Sequence, residues 1–345
     1  MSVETKALPR AYGAAVLSAK IRQQPEDFQV EEVLGFDPDG EGEHLMLWVE
    51  KRGANTAWVA EQLAKHLGLP ARSVSWAGLK DRHAVTRQWI GAHLGRQAAP
   101  EAWPEHPEYR VLRAVRHRRK LQTGGLKGNR FQLCLREVEG QPDAIERRLQ
   151  RVAAGGVPNY FGEQRFGREG DNVEQARALF SGRRMPKHKA SILLSSVRSL
   201  GFNNILAARV EAGCWDRAVE GEVFALDGSR STFGPEPLNE ELDRRLGELD
   251  IHPSGALWGR GPLRSLAAAA EFDLQHGLDQ GLLDGLAQFG LNQERRALRL
   301  PIRQMQWRCA EAGRLELEFF LPSGSYATSV LHELGLTEGA NSAIS

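Results

Sequence analysis

The chain has 345 residues, a net charge of +1, 41% hydrophobic residues and 26% charged residues, an ordinary composition for a globular protein. This length exceeds that of a single core and predicts two domains. No apolar run reaches the roughly 18 residues that span a bilayer, and the N-terminus lacks a signal-peptide pattern, so we expect a cytoplasmic protein without a membrane partner. The three cysteines are far apart and form no Cys-x-x-Cys pair, which argues against a disulfide framework and a structural zinc site.

The near-neutral net charge conceals a segregated distribution of basic residues. Residues 110–136 contain nine Lys or Arg and no acid. A second acid-free cluster comprises Arg183, Arg184, Lys187, Lys189 and Arg198. Such segregation can form a basic face for nucleic-acid phosphates, and it also fits a solvated surface without a ligand. Charge alone leaves both interpretations open.

The hydrophobic pattern of the first half of the chain mostly has the period of strands. It predicts strands at residues 29–35, 44–51, 73–78, 87–94, 111–115 and 131–138. Residues 55–70 have helical spacing instead, with Asn55 as the cap and Gly68 and Pro70 as the stop. Strands with intermittent helices, in place of a regular strand–helix alternation, indicate an α+β fold.

The second half of the chain changes character. A helix is predicted at residues 143–156, and residues 155–303 are mostly helical. Strand-like alternation returns after residue 303 and precedes a last helix. We therefore predict a discontinuous domain, residues 1–154 plus 304–345, interrupted by an insertion at residues 155–303.

The segment AGLKDRHAVTRQW, residues 77–89, contains the densest cluster of ionisable residues. Lys80 and Arg82 flank Asp81, and a nearby cation favours the ionised form of a carboxylate. An ionised and positioned carboxylate can act as a nucleophile or as a base. The alternative is an aspartate in a polar surface turn. His83 is a candidate general acid, or a polar residue that binds backbone in such a turn.

A glycine-rich segment, GGLKGNRF at residues 124–131, ends the basic run. Its glycines allow close approach to a ligand, Asn129 can donate and accept hydrogen bonds, and Phe131 offers a ring face. Cations beside an aromatic ring are typical of RNA recognition. A turn followed by a strand with a buried Phe131 accounts for the same residues.

Five segments, taken in order, resemble the TruD family of pseudouridine synthases over nearly the whole chain. They are PEDFQVEE, AGLKDRHAVTRQW, LKGNRFQLCLREV, GVPNYFGEQRFG and LPSGSYATSVLHEL. The resemblance implies a mixed-sheet catalytic domain interrupted by a family-specific, mostly helical α/β insertion, the TRUD domain. It also implies that the substrate is transfer RNA, modified at the uridine of position 13.

The resemblance implies roles for individual residues. Asp81 matches the catalytic aspartate, while Phe28, Asn129 and Tyr326 match positions that contact the target nucleotide. Phe131 matches the aromatic residue expected to stack on the target uracil.

Two positions depart from the residues expected in the family. Arg22 and Glu26 fall in the longer segment RQQPEDFQVEE that contains the first motif, and Lys is expected in place of Arg22. Tyr326 stands where Phe is common. The first change keeps the charge and the second keeps the ring, so we retain all three residues as substrate-binding candidates.

The implied reaction breaks the N1–C1′ bond of uridine, turns the uracil and joins C5 to C1′. Because atoms are conserved and no redox step occurs, we expect neither a metal nor an organic cofactor. Basic residues would attract the RNA backbone and help offset the cost of extracting the nucleotide from its stack, a role we assign to Arg116, Arg118 and Lys127. A monomer without an obligatory protein partner is the default expectation.

Two other functions fit the same residues. A non-catalytic RNA-binding protein or RNA chaperone would keep the basic surface. A hydrolase would use Asp81 to cleave a glycosidic bond with water. The products distinguish the three: bound RNA alone, free uracil with an abasic ribose, or a C5-linked nucleoside.

Overall fold

The structure is a computed structural model that describes residues 8–122, 124–167, 170–310 and 313–339. Within these ranges the helices are α1 (Thr56–His66), α2 (Pro142–Gly155), α3 (Asn172–Phe180), α4 (Lys187–Glu211), α5 (Glu240–Gly247), α6 (Ala267–His276), α7 (Gln280–Gln288) and α8 (Ala327–Leu334). The strands of the same ranges are β1 (Leu17–Ile21), β2 (Phe28–Leu34), β3 (His44–Arg52), β4 (Val74–Trp76), β5 (Val85–His93), β6 (Tyr109–His117), β7 (Leu126–Glu139), β8 (Val157–Pro158), β9 (Phe224–Leu226), β10 (Thr232–Phe233), β11 (Ile251–Leu257), β12 (Glu294–Ala297), β13 (Arg299–Leu300), β14 (Arg303–Ala310), β15 (Arg314–Pro322) and β16 (Gly335–Gly339). Among the helices described, none is both long and apolar enough to cross a membrane.

The chain forms two compact units. The sheet unit takes its described residues from 16–145, 303–324 and 335–345, and the helical unit takes its own from 1–15, 146–302 and 325–334. The chain passes from the sheet unit to the helical unit after residue 145 and back after residue 302, close to the predicted boundaries at residues 154 and 303. Residues 1–15 and 325–334, in contrast, group with the helical unit. The predicted division into a catalytic domain and an insertion stays a prediction.

A mixed sheet dominates the sheet unit, with the strand order β14-β15-β7-β2-β5-β3-β6. Strands β2 and β5 are parallel, and the other neighbours in this order are antiparallel. Strand β1 pairs with β7 and, in parallel, with β16, while β4 pairs with β5. This topology confirms the predicted α+β class and the predicted return of the last strands to the first sheet.

Helix α1 contributes to a buried apolar cluster of the sheet unit. Leu45, Leu47 and Val49 of β3 are almost fully buried in one cluster with Val59 and Leu63 of α1. The strand and helix periods read from the sequence are therefore confirmed for these elements. The pattern did not predict β1 or β16, because each has only five residues and gains its hydrogen bonds from a distant segment.

The helical unit is built around α4. Phe202 and Leu206 of this helix are fully buried, and the helix packs against α3, α6 and β11. The mostly helical character predicted for this region is confirmed, with a small sheet β10-β9-β11-β12 and the pair β13-β8 added to it. The sequence did not reveal β11, because its buried residues include His252, Pro253 and Ser254.

The cap of α1 gives a first test of the fold. The Asn55 side chain accepts a hydrogen bond from the Ala57 amide at 2.8 Å. Asn55→Ala leaves that amide without its partner, so we expect the free energy of unfolding in urea to fall by about 1 kcal/mol. Asn55→Asp keeps the acceptor and should remain within a few tenths of a kcal/mol of the parent. An equal loss in both variants would contradict the capping role.

Candidate active site

Asp81 lies in the segment between β4 and β5, residues 77–84, which we call the Asp81 loop. Its Oδ2 accepts an ion-paired hydrogen bond from Nη2 of Arg22 at 2.9 Å, and its Oδ1 accepts one from the backbone amide of His83 at 2.9 Å. The side chain is still 22% exposed. Two donors therefore orient a carboxylate that a substrate can reach.

The cation paired with Asp81 comes from the end of β1 and not from its neighbours in the sequence. Arg82 donates through Nε to the carbonyl of Gly53 at 3.2 Å, and Lys80 points into the sheet unit toward Glu32. Adjacent side chains of an extended segment point in opposite directions, so flanking positions do not guarantee a contact.

Arg22 has an uncommon backbone conformation. Its φ is 56°, in the left-handed region, which costs a residue other than glycine roughly 1–3 kcal/mol. Its guanidinium lies 4.2 Å from the centroid of the Phe28 ring in a cation–π contact. The ring and the Asp81 carboxylate together hold the guanidinium, and these contacts offset the backbone cost.

Lys51 fixes the Asp81 loop from within the sheet. Its side chain is almost fully buried, and Nζ donates to the backbone carbonyls of Ala54 and Asp81, both at 2.8 Å. Burial lowers the pKa of Lys51 to about 8; the Asp81 carboxylate opposes this change and Lys80 adds to it. Lys51 thus positions the backbone of Asp81.

A second buried lysine anchors the same loop. Lys80 forms an ion pair with Glu32 of β2, and both side chains are almost completely buried. The second oxygen of Glu32 accepts a hydrogen bond from the Trp89 amide at 3.0 Å, and the Lys80 amide donates to the Thr56 hydroxyl at 3.2 Å. Burial raises the pKa of Glu32, while Lys80 and the Trp89 amide oppose that rise. The loop is thereby tied to β2, β5 and α1.

Three aromatic rings continue the cluster that begins at Arg22. Phe28 and Phe131 meet edge to face with centroids 6.2 Å apart, and Phe131 stacks on Phe319 at 5.5 Å. Phe131 is only 7% exposed and Phe28 only 5%. The structure therefore shows that Phe131 packs in the core. That Phe131 also stacks on the uracil stays a prediction.

Asn129 contributes an unused hydrogen-bond acceptor. It lies on β7 opposite Glu32 of β2, the residue that binds Lys80. Its buried Oδ1 accepts no hydrogen bond from the part of the chain that the structure describes. Because an unpaired buried acceptor is costly, a donor from a bound nucleotide would be favourable at this position.

Glu26 and its neighbour Asp27 have different surroundings. Glu26 is partly exposed and pairs with Arg52 at 2.6 Å, and the hydrogen bond from Arg52 lowers the pKa of Glu26. Asp27 is buried and pairs with Arg136 at 2.8 Å. The predicted substrate contact of Glu26 stays a prediction, since its carboxylate is already held by Arg52.

Tyr326 belongs to the helical unit. Its hydroxyl accepts a hydrogen bond from Nη2 of Arg165 at 2.8 Å, and its ring meets that of Phe161 at 6.2 Å. The guanidinium of Arg296 lies 4.2 Å from the Phe161 centroid, and burial lowers the pKa of Arg296 to about 10. Tyr326 therefore sits in a cluster of cations and rings that the fourth motif, residues 156–167, helps to build.

The three residues that we predict to contact the RNA backbone differ in the contacts that they already make within the protein. Arg116 donates to three backbone carbonyls in the loops before β3 and after β5. Arg118 forms an exposed ion pair with Glu41. Lys127 is exposed and has no ion-pair partner among the described residues. Of the three, Lys127 can reach a phosphate without giving up an existing partner.

Comparison with known proteins identifies the family of the chain. The family model described as tRNA pseudouridine synthase D (TruD) matches residues 11–179 and 171–334 of the chain. The chain belongs to the TruD family. Among its relatives, the tRNA pseudouridine synthase D of Xanthomonas euvesicatoria pv. vesicatoria is 52% identical over 96% of this chain and 95% of its own length. That of Methylococcus capsulatus is 47% identical over 95% of this chain and 94% of its own length.

A solved structure shares the fold. The crystal structure of a putative tRNA pseudouridine synthase D (TruD) from Methanosarcina mazei superposes with a TM-score of 0.71 and covers 95% of each chain. At 22% sequence identity this match supports the TruD fold and does not by itself assign residues.

Neither Lys51 nor Glu32 of this TruD-family member was predicted from the sequence to support the site. A signal was nevertheless present. In β3, Lys51 follows Leu47 and Val49 at the alternate positions that face the interior, and in β2 Glu32 follows Val30 in the same way. A charged residue in an inward position is a candidate for a structural or functional role.

The lowered pKa of Lys51 predicts a pH dependence of stability. Between the folded pKa of about 8 and the ordinary value of 10.5, the unfolded chain binds more protons at this site than the folded chain. The stability of the parent relative to Lys51→Met should therefore rise with pH across this interval, by at most about 1.4 kcal/mol per unit. Urea denaturation at several pH values measures the difference. A pH-independent difference for Lys51→Met would contradict the assignment.

Proposed function

We propose that Asp81 is the carboxylate with which this TruD-family protein isomerises uridine to pseudouridine in transfer RNA, and that position 13 is the target. One observation carries the assignment of Asp81: Arg22 and the His83 amide orient the carboxylate, while its side chain stays 22% exposed. Of the other carboxylates in the first motif, Glu32 and Asp27 are buried, and Glu26 and Glu31 lie in more exposed ion pairs, Glu26 with Arg52 and Glu31 with Arg87 and Arg130.

The chemistry requires a negative charge next to the reacting nucleotide. The N1–C1′ bond breaks, a C5–C1′ bond forms, C5 loses its proton and N1 gains one, so the isomerisation balances without another reactant. Asp81 serves this reaction as a nucleophile or as a proton acceptor, and both roles need the ionised form. The guanidinium of Arg22 lies 2.9 Å from Oδ2 of Asp81 and supplies the opposite charge.

The surrounding residues serve to hold the extracted uridine. Asn129 offers its unused Oδ1 to an N–H group of the base, and Phe28 and Phe131 provide the apolar side of the site. We assign catalysis to the discontinuous domain of residues 1–154 plus 304–345, because the residues around Asp81 belong to the sheet unit. The TRUD insertion then comprises residues 155–303, and a transfer RNA substrate fits the cytoplasmic location expected from the sequence.

Asp81→Asn tests the carboxylate directly. The amide is nearly isosteric and can still accept a hydrogen bond from His83, but it has no anionic oxygen for catalysis. We expect tRNA affinity and the thermal midpoint to be retained and pseudouridine formation to fall below a few per cent of the parent, measured by nucleoside analysis of the RNA. Glu316→Gln removes another carboxylate that is paired with an arginine and should leave turnover unchanged. Substantial turnover by Asp81→Asn would overturn the assignment, and free uracil from the parent would indicate hydrolysis.

Phe131 and Phe319 stack on each other, and variants of each distinguish stacking on the uracil from packing in the core. Phe319 is fully buried, whereas Phe131 retains slight exposure next to Phe28. Both Phe131→Leu and Phe319→Leu should lower the thermal midpoint, because each leaves space in a packed core. Only Phe131→Leu should also lower turnover per folded molecule, since base–aromatic contacts contribute about 1–3 kcal/mol. Equal turnover in the two variants would make Phe131 a core residue only.

A further inference from the structure

A cavity of about 790 Å³ opens on the surface of the helical unit, away from any residue assigned above. The end of α3, the start of α4 and the end of α7 line it, and we call it the α3–α4 groove. Arg183, Arg184 and Lys187 contribute to its wall, and its described lining residues include no Asp or Glu. The second basic cluster of the sequence is thus part of a concave surface.

Four of the five cations in or beside the groove have no ion-pair partner among the described residues, whereas the fifth, Arg198, pairs with Glu294 at 2.8 Å. Arg183, Arg184, Lys187 and the adjacent Lys189 are exposed, and none of them forms an ion pair with a described residue. Other surface arginines of the same unit behave differently: Arg177 pairs with an aspartate at 2.6 Å and Arg244 with a glutamate at 2.7 Å. Repulsion among four unpaired cations disfavours the empty groove and favours an anion in it.

The direction of α4 strengthens the positive potential. Its first turn contains Lys187, His188 and Lys189 and no acid, although this end of a helix already carries a partial positive charge. Pro186 at the cap position supplies no side-chain acceptor for the first amides. The helix start therefore adds outward N–H donors to the exposed ammonium and guanidinium groups.

The floor of the groove is aromatic. The rings of Phe180 and Phe289 lie 5.7 Å apart, and Phe289 is 40% exposed. Exposed rings beside cations provide a stacking surface for a nucleobase and charge for its phosphates. A simple inorganic anion would use the cations and leave this ring without a role.

We propose that the α3–α4 groove binds the phosphate backbone of the substrate transfer RNA, with one nucleotide packed against Phe289. The inference rests on the transfer RNA substrate and is independent of the role of Asp81. Charge complementarity selects the occupant, since the groove presents several unpaired cations and RNA carries a phosphate at every nucleotide.

The triple variant Arg183→Gln, Arg184→Gln, Lys187→Gln tests the groove. We expect weaker tRNA binding, and a dependence of log affinity on log salt concentration that is shallower by about two to three counterions. At saturating tRNA, kcat should remain near the parent value while KM rises, because these residues bind RNA without touching the reacting atoms. Phe289→Ala should weaken binding and leave the salt dependence unchanged.

The matched control removes the same amount of charge elsewhere on the helical unit. Arg244→Gln, Arg245→Gln, Arg264→Gln should keep the salt dependence within one counterion of the parent. An unchanged salt dependence and affinity in the groove variant, with its thermal midpoint retained, would overturn the proposal. So would binding of inorganic triphosphate to the groove without competition from tRNA, because that result indicates a small-anion site. Asp81→Asn should show the parent's salt dependence, so failure of the catalytic assignment and failure of the groove are distinguishable.

Discussion

The Asp81 loop depends on two buried positive charges. Lys51 holds the Asp81 carbonyl and Lys80 holds Glu32, whereas Leu79, next to Lys80, is 73% exposed and adds little packing. Burying an ammonium group is costly unless every partner is in place, so the loop has one well-satisfied arrangement and poor alternatives. Hydrophobic contacts alone would have fixed the loop less specifically, because they carry no directional requirement.

Sheet order explains why residues distant in the sequence meet at this loop. Strand β2 lies between β7 and β5, so it brings Phe28 beside Phe131 and Glu32 opposite Asn129. Arg22 precedes β2 and follows β1, whose pairing with β7 fixes the place from which its guanidinium reaches Asp81. The sheet thus positions the residues around Asp81, and the carboxylate that we propose for catalysis stays partly exposed.

Much of this fold was predictable from the periodic pattern of hydrophobic residues. The remaining elements were not, because they depend on pairing with segments that are distant in the sequence. The strands around Asp81 and helix α1 follow from alternation and from the Asn55 cap. The mostly helical character of residues 155–303 was visible as a change of period. Strand β11 was not, because a strand with Pro253 and buried polar residues depends on tertiary partners that composition does not show. Within the site, Asp81 was predictable from its motif. Its pairing with Arg22 was not, since the contact depends on an unusual φ and on the place of β1 in the sheet.

The parallel pairing of β1 with β16 has a consequence for how the protein is made. These strands lie near opposite ends of the chain, so β1 leaves the ribosome long before its partner exists. At about 5–20 residues per second, the interval is roughly 15–60 s. Throughout that time one edge of β1 exposes unpaired backbone groups, a state prone to pairing with other chains. The short, lysine-containing LSAKI sequence of β1 limits that risk, since brevity and charge both weaken edge-to-edge association.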